Sequence, residues 1–157
     1  MGLDMYLYKK SYVQNWEHTP TENKHTISIK KGGKVRKDIK PERICYITEQ
    51  IAYWRKFNAL HGWFVNECAA GVDECQDIYV PRTSLKVLQD WNGKDYEVKV
   101  YECEDQVKEL LEPTPGFFFG GTEIDEYYFE EVKSTIETLK EVLEEDGDDD
   151  FIYRASW

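Results

Sequence analysis

The chain has 157 residues, of which 41% are hydrophobic and 15% aromatic, and it carries a net charge of −11. A chain of this length can bury a core without metals or disulfides, and its hydrophobic content argues against disorder over most of its length. The negative charge argues against general nucleic-acid binding, because phosphate contacts dominate that affinity. We therefore expect one domain spanning residues 1–157.

No stretch approaches the ~20 apolar residues needed to cross a bilayer. The first residues also lack the basic region and apolar run of a signal peptide, so the sequence predicts a cytoplasmic protein. The cysteines form no CxxC pair and show no zinc-finger spacing, which favours free thiols in a reducing compartment. We predict neither a metal site nor a cofactor. The four cysteines are Cys45, Cys68, Cys75 and Cys103.

The first elements predicted along the chain are a strand and a hairpin. Leu3, Met5 and Leu7 alternate with Asp4 and Tyr6, which is the period of a half-buried strand. Residues 26–29 alternate again, and the glycines that follow at 32–33 supply a turn. This pattern predicts a hairpin with a basic tip.

A long helix is predicted next. Thr48 is placed to cap a helix that begins at Glu49 and ends near Ala69. Gly62 inside it costs roughly 1 kcal/mol relative to alanine, so the helix needs tertiary support. The residues that recur at helical spacing and would share one face are Ile51, Trp54, Asn58, His61 and Val65.

Shorter elements follow in the middle of the chain. Residues 78–80 predict a strand, and Pro81 suits the first turn of a helix that continues to Trp91. Residues 96–101 alternate weakly as a strand, and residues 105–111 predict a short helix.

The last part of the chain predicts two strands around a second long helix. Residues 116–120 read as a buried strand, Thr122 as a helix cap with Asp125 completing a capping-box pattern, and residues 151–155 as the last strand. Strands and helices are mixed without regular βαβ alternation. The sequence therefore predicts an α+β fold with a mostly antiparallel sheet, two long helices and one or two short ones.

Charge is unevenly distributed. Residues 24–40 contain seven basic residues and one acid, whereas residues 122–150 contain thirteen acids and two lysines. The basic run at the hairpin tip could close over a phosphorylated ligand or contact an acidic partner, although such tips are more often simply solvated.

The first candidate site is the helix face that would hold Trp54, Asn58 and His61. Polar residues inside an apolar stripe need partners, because an unpaired buried polar group is costly. In one interpretation Trp54 stacks on a planar ligand, Asn58 and His61 form hydrogen bonds to it, and Arg55 contacts an anion. In the other, Asn58 and His61 bond backbone groups of the neighbouring sheet.

The second candidate site is formed by Gly120, Gly121 and Thr122. A strand leading directly into a helix N-terminus offers free backbone N–H groups to an anion, and glycines allow close approach. Three carboxylates in the predicted first turn oppose this, and neither GxGxxG nor a Walker lysine is present. A plain strand-to-helix turn is the alternative.

Several segments rich in aromatic residues and glycine stand out, namely Gly2–Leu7, Tyr53–Lys56 with Asn58, His61, Trp63 and Phe64, Gly116–Gly120, Asp125–Tyr128 and Ser156–Trp157. Together they resemble a family of small phage and prophage proteins of uncharacterised function. The resemblance implies a bacterial cytoplasmic setting during infection. By analogy with small phage accessory proteins, it also implies inhibition of host defence, through a nucleotide signal or a protein.

We therefore expect a non-enzymatic phage accessory protein that sequesters a small phosphorylated or nucleotide-like ligand. The alternative is an acidic protein–protein inhibitor of a host defence or nucleic-acid-binding protein, using residues 122–150. A nucleotide hydrolase is a third hypothesis, but neither GxSxG nor HExxH occurs. Exposed Trp and Tyr leave a homo-oligomer open.

Overall fold

Strands and helices are present in both parts of the chain that the computed structural model describes, residues 2–90 and 111–157. The strands are β1 (Asp4–Tyr12), β2 (Lys30–Lys31), β3 (Lys34–Val35), β4 (Tyr46–Arg55), β5 (Ile78–Val80) and β6 (Asp150–Ser156). The α-helices are α1 (Asn58–Ala69), α2 (Arg82–Asp90) and α3 (Glu126–Glu144). Short 3-10 helices span Thr21–Asn23 and Pro41–Arg43.

The main sheet is antiparallel and has the strand order β4–β1–β6–β5, while β2 and β3 pair separately as a hairpin. The α+β prediction with an antiparallel sheet is confirmed. No helix in the described residues is long and apolar enough to span a bilayer.

The helices pack on one face of this sheet. On α1, Phe64 stacks on Tyr153 of β6 with ring centroids 4.0 Å apart. On α3, Thr135 accepts a hydrogen bond of 2.8 Å from the indole of Trp54 on β4. The guanidinium of Arg82, at the start of α2, lies 5.8 Å from the ring centre of a β6 phenylalanine. This inward face and the helices form the hydrophobic core.

The prediction of a helix beginning at Glu49 is wrong, because residues 46–55 form strand β4. These residues are rich in β-branched and aromatic side chains, and all but one of them pair with β1. A β-bulge leaves Ile51 without a partner between Ala52 and Gln50. The extra residue interrupts the period of two, so Ile51 and Trp54 mimic helical spacing.

Several other elements agree with the sequence. The strand that begins at the N-terminus, the strand at 78–80, the helix after Pro81 and the last strand are all present. The hairpin is present but shifted, because its strands lie at 30–31 and 34–35 rather than at 26–29. The predictions for residues 96–101 and 105–110 lie outside the described residues.

The predicted strand at 116–120 is wrong. The backbone N–H of Phe119 donates to the carbonyl of Gly116 at 3.1 Å, which closes a turn, and Phe117 is 96% exposed. The predicted cap at Thr122 is also wrong. Asp125 is the N-cap, and its carboxylate accepts a 2.9 Å hydrogen bond from the backbone N–H of Tyr128. Aspartate competes well for this position, so the helix begins three residues later than predicted.

Gly62 is explained by close packing. A Cβ at Gly62 would lie 2.1 Å from Oγ1 and 3.3 Å from Cβ of Thr114, so a side chain at this position would displace Thr114. The helix loses propensity there but gains contact with the segment from residue 111 onwards.

Arg82 links α2 to the end of α3. Its guanidinium donates to the backbone carbonyls of Leu143, Glu145 and Gly147 at 3.1, 2.7 and 3.3 Å. Carbonyls at a helix C-terminus lack intrahelical partners, and a cation there also opposes the helix dipole.

We predict that Arg82→Ala lowers the free energy of unfolding by about 1–2 kcal/mol, because several carbonyls lose a charged donor. Urea denaturation measures this change. Lys86→Ala is the matched control, since Lys86 is an exposed cation on the same helix. An equal effect of both substitutions would contradict the capping role.

Candidate functional site

The two regions predicted to bind ligand are arranged differently from the sequence prediction. Trp54 and Arg55 lie on β4, whereas Asn58 and His61 lie on α1, so the shared helical face does not exist. Lys56 separates the two elements with a positive φ of 58°. This backbone turn ends the strand and starts the helix two residues later.

Trp54 is a core residue. Its side chain faces inward from β4, only 5% exposed, and its indole N–H is satisfied by Thr135. The ring packs against Phe64 with a centroid separation of 6.3 Å. It does not line the cleft described below.

His61 belongs to a buried hydrogen-bond network. Its Nδ1 lies 2.7 Å from the hydroxyl of Tyr153 and its Nε2 lies 2.9 Å from a carboxylate oxygen of Asp73. Burial, with smaller contributions from Asp73 and Cys75, raises the pKa of Tyr153, so its hydroxyl stays protonated and can donate. The carboxylate of Asp73 can only accept, so the hydrogen bond at Nε2 is donated by His61. In this tautomer of the neutral ring, Nδ1 accepts from the Tyr153 hydroxyl. The indole of Trp157 donates to the other Asp73 oxygen at 3.3 Å.

Asn58 holds the segment 111–121 against the start of α1. Its side-chain amide donates to the carbonyls of Phe119 and Gly121 at 3.1 and 2.6 Å. Its carbonyl oxygen accepts from the backbone N–H of Thr114 at 3.0 Å. The partners of Asn58 are thus backbone groups, as the second interpretation expected, but they belong to this segment and not to the sheet.

These contacts border a cleft of about 540 Å³ between the β4–α1 junction and the first turns of α3. The volume is within the range of ligand pockets, roughly 300–1,000 Å³. The residues that line the cleft are Arg55, Lys56, Phe57, Asn58, Pro113, Gly120, Gly121, Glu123, Asp125, Tyr127, Tyr128 and Glu131.

The basic wall of this cleft consists of Arg55 and Lys56. Within residues 2–90 and 111–157, the nearest carboxylate to the Arg55 guanidinium is that of Asp4 at 3.9 Å, and the Arg55 side chain is 62% exposed. The stem of Lys56 lies against Gly120, where an added Cβ would be 3.2 Å from the Lys56 Cβ. Gly120 has a φ of +88°, so the absence of a side chain serves both backbone conformation and packing.

The opposite wall comes from α3 and the residues before it. Tyr127 is 63% exposed, and Glu123 and Glu131 add carboxylates. The carboxylate of Asp125 caps α3 and so occupies the helix N-terminus, which was one of the two candidate anion sites. The cleft therefore presents cations on one side and carboxylates on the other.

The structure brings together some predicted site residues and separates others. Arg55, Asn58, Gly120 and Gly121 line one cleft, whereas Trp54, His61 and Thr122 do not line it. Thr122 is exposed and lies between two residues that do. The aromatic and acidic lining was not predicted, because the sequence pattern placed the start of α3 too early. The signal that could have identified this lining is Tyr127, an aromatic residue among the carboxylates at the start of α3.

The basic hairpin lies away from this cleft along the chain. It precedes the Tyr46 end of β4, and Arg55 lies at the other end, about 30 Å away at ~3.3 Å per residue. In the parts of the chain that the structure describes, no hydrogen bond or ion pair joins the two regions.

Within residues 2–90 and 111–157, no cluster of three or more His, Cys, Asp or Glu side chains is placed to hold a metal ion. Comparisons with protein-family models, curated proteins and solved structures find no match to this chain. The roles of the cleft residues are therefore argued from their own contacts.

We predict that Asn58→Asp destabilises the fold by roughly 3 kcal/mol, although the two side chains have nearly the same shape. Aspartate can accept from Thr114 but cannot donate to the two carbonyls, and it places a charge beside them. Chemical denaturation measures the loss. Asn66→Asp is the control, because Asn66 is exposed on the same helix. Equal stability of the two variants would show that the Asn58 contacts contribute nothing.

Proposed function

We propose that the protein binds a small phosphorylated, nucleotide-like ligand in the cleft and releases it unchanged. The observation that carries the proposal is the combination of two adjacent cations, Arg55 and Lys56, with the exposed ring of Tyr127 in one cleft. A nucleotide has a phosphate that can contact the two cations and a planar base that can stack on the ring of Tyr127.

The cations suit a phosphate because of how they are held. Among the described residues, the Arg55 guanidinium has one carboxylate within ion-pair distance, that of Asp4 at 3.9 Å, and the Arg55 side chain is 62% exposed. This long and exposed contact leaves its planar fork able to pair with phosphate oxygens. Lys56 supplies a second positive charge from a backbone conformation that ordinary side chains rarely adopt. Backbone strain of this kind is concentrated at binding sites, where it fixes a side chain in place.

The rest of the lining orients the ligand. A base that stacks on the ring of Tyr127 is stabilised whichever base it is, as in proteins that bind single-stranded nucleic acid. Glu123 and Glu131 repel phosphate and accept hydrogen bonds from amino or hydroxyl groups. The ligand phosphate is therefore directed toward the β4–α1 junction, and its base and sugar donors toward α3.

Binding without chemistry is supported by the position of His61. This residue is 1% exposed, and both of its ring nitrogens have partners within the chain. A general base must reach a substrate proton within hydrogen-bond distance, and His61 does not line the cleft. Sequestration of a signalling nucleotide, as in counter-defence, requires only tight and reversible capture.

We predict that incubation with linear, cyclic and ADP-ribose-derived nucleotides depletes one of them from the free pool. Heat denaturation of the protein should release that nucleotide intact, as chromatography would show. A new product peak would instead make the protein an enzyme. Depletion of no nucleotide would contradict the proposal and favour a basic protein partner for the acidic residues 122–150.

Substitutions at the cleft should weaken capture of the retained nucleotide. Arg55→Ala and Tyr127→Ala should each raise its dissociation constant by about tenfold or more. Lys56→Gly should weaken binding without lowering stability, since glycine suits the positive φ at that position. Isothermal titration calorimetry and thermal denaturation measure the two effects.

Arg36→Ala is the matched control for the charge. Arg36 is an arginine next to the hairpin and is paired with Asp38, so its removal should leave the affinity unchanged. Loss of affinity in Arg36→Ala equal to that in Arg55→Ala would mean that net charge, and not the cleft, determines binding.

A further inference from the structure

The outward face of the sheet carries a band of aromatic side chains. Residues directly opposite each other on neighbouring antiparallel strands lie on the same face, and the register places one such row across all four strands. That row contains Gln50, Tyr8, Ile152 and Tyr79, and the neighbouring row on the same face contains Tyr53 and its partner Tyr6. We call the aromatic and aliphatic residues of these two rows the tyrosine stripe: it consists of Tyr53, Tyr6, Tyr8, Ile152 and Tyr79.

The stripe is accessible in the described structure. The rings of Tyr6 and Tyr8 stack with centroids 6.1 Å apart, and those of Tyr6 and Tyr53 lie 5.3 Å apart. Tyr53 and Tyr79 at its two ends are 49% and 60% exposed. Each of α1, α2 and α3 contacts an inward-facing side chain on the opposite face of the sheet.

Charged residues flank the stripe on both sides, and each cation has a carboxylate neighbour on the next strand or beside it. Arg55 forms an ion pair with Asp4 and Arg154 with Asp77. Lys10 lies opposite Asp150 in the register, and its ammonium lies 4.2 Å from the ring centre of Tyr46. The two ion pairs have N–O separations of 3.9 and 3.6 Å. Because positive and negative charges balance here, the face lacks the excess of cations that a polyanion requires.

An uncharged aromatic centre with charged residues at its border is the anatomy of a protein–protein interface. We propose that a second copy of this chain occupies the face. The two sheets pack face to face about a two-fold axis that runs parallel to the strands, between β1 and β6. Such an axis sets β1 of one copy against β6 of the other, and β4 against β5.

The register makes this arrangement self-complementary. Lys10 lies opposite Asp150 within the chain, so the two-fold axis sets Lys10 of each copy against Asp150 of the other. It also sets Tyr6 against Arg154, since these two are cross-strand partners, and a guanidinium over a tyrosine ring is attractive. Tyr8 meets Ile152 in the same way. Every contact occurs twice.

The size of the face sets the strength of the dimer. Four strands at ~4.8 Å spacing give a surface of about 20 Å by 25 Å, which is at the small end of specific interfaces. Aligned sheets also cross at about 30°, so the rows nearest the axis match best. Lys10, Asp150, Tyr6 and Arg154 lie on the two strands beside that axis. We therefore expect dissociation in the micromolar to millimolar range of concentration.

The test uses charge reversal in separate chains. Lys10→Glu sets glutamate against Asp150, and Asp150→Lys sets lysine against Lys10, so each variant alone should dimerise about tenfold more weakly than the original protein. An equimolar mixture of the two variants restores both opposite-charge contacts between unlike chains. Sedimentation equilibrium should show that the mixture recovers the dimer.

The mixing experiment distinguishes a lost contact across the dimer interface from a folding defect within one chain. Adding the second variant restores the contact across the interface but does not repair a folding defect in the first. Lys86→Glu, which makes the same change on the exposed surface of α2, should leave dimerisation unchanged. A mixture no more dimeric than its components overturns the proposal. The proposal is also overturned if the unsubstituted protein stays monomeric up to millimolar concentration. The same holds if the outward face binds single-stranded RNA and the protein remains monomeric.

Discussion

Strand β1 lies between β4 and β6, and its backbone hydrogen bonds to both strands set the direction of most side chains in the sheet. Met5 and Leu7 point toward the helices and are fully buried. Tyr6 and Tyr8 alternate with them and point outward. The core on one side and the tyrosine stripe on the other therefore follow from a single register, which a slip of one residue would exchange.

The cleft depends on a different constraint, which is the change of direction at Lys56. Its positive φ ends β4 and allows α1 to begin at Asn58. Asn58 then fixes the segment that carries Gly120 and Gly121 by bonding its backbone. The cationic and acidic walls face each other because this amide holds the segment between them in place. The two proposed binding surfaces thus have separate structural origins.

The sequence predicted the elements whose periodicity is uninterrupted, such as β1, β5, α2 and β6. It failed at β4 because Ile51 and Trp54 imitate a helical stripe when one bulged residue interrupts the alternation. The predicted start of α3 was too early, because the predicted N-cap residue was Thr122 and the helix is in fact capped by Asp125. Half of the cleft was therefore absent from the prediction: Arg55 could be named, but Tyr127 could not.

The bulge also bears on how the length of β4 can vary. Ile51 is the extra residue between Ala52, which pairs with Leu7, and Gln50, which pairs with Tyr8. Loss of Ile51 would leave a strand with regular alternation, in which every other residue keeps its face and its partner. Loss of a residue farther along β4 would change the face of the residues between that residue and the bulge. A deletion at the bulge would therefore shorten β4 without rebuilding either surface of the sheet.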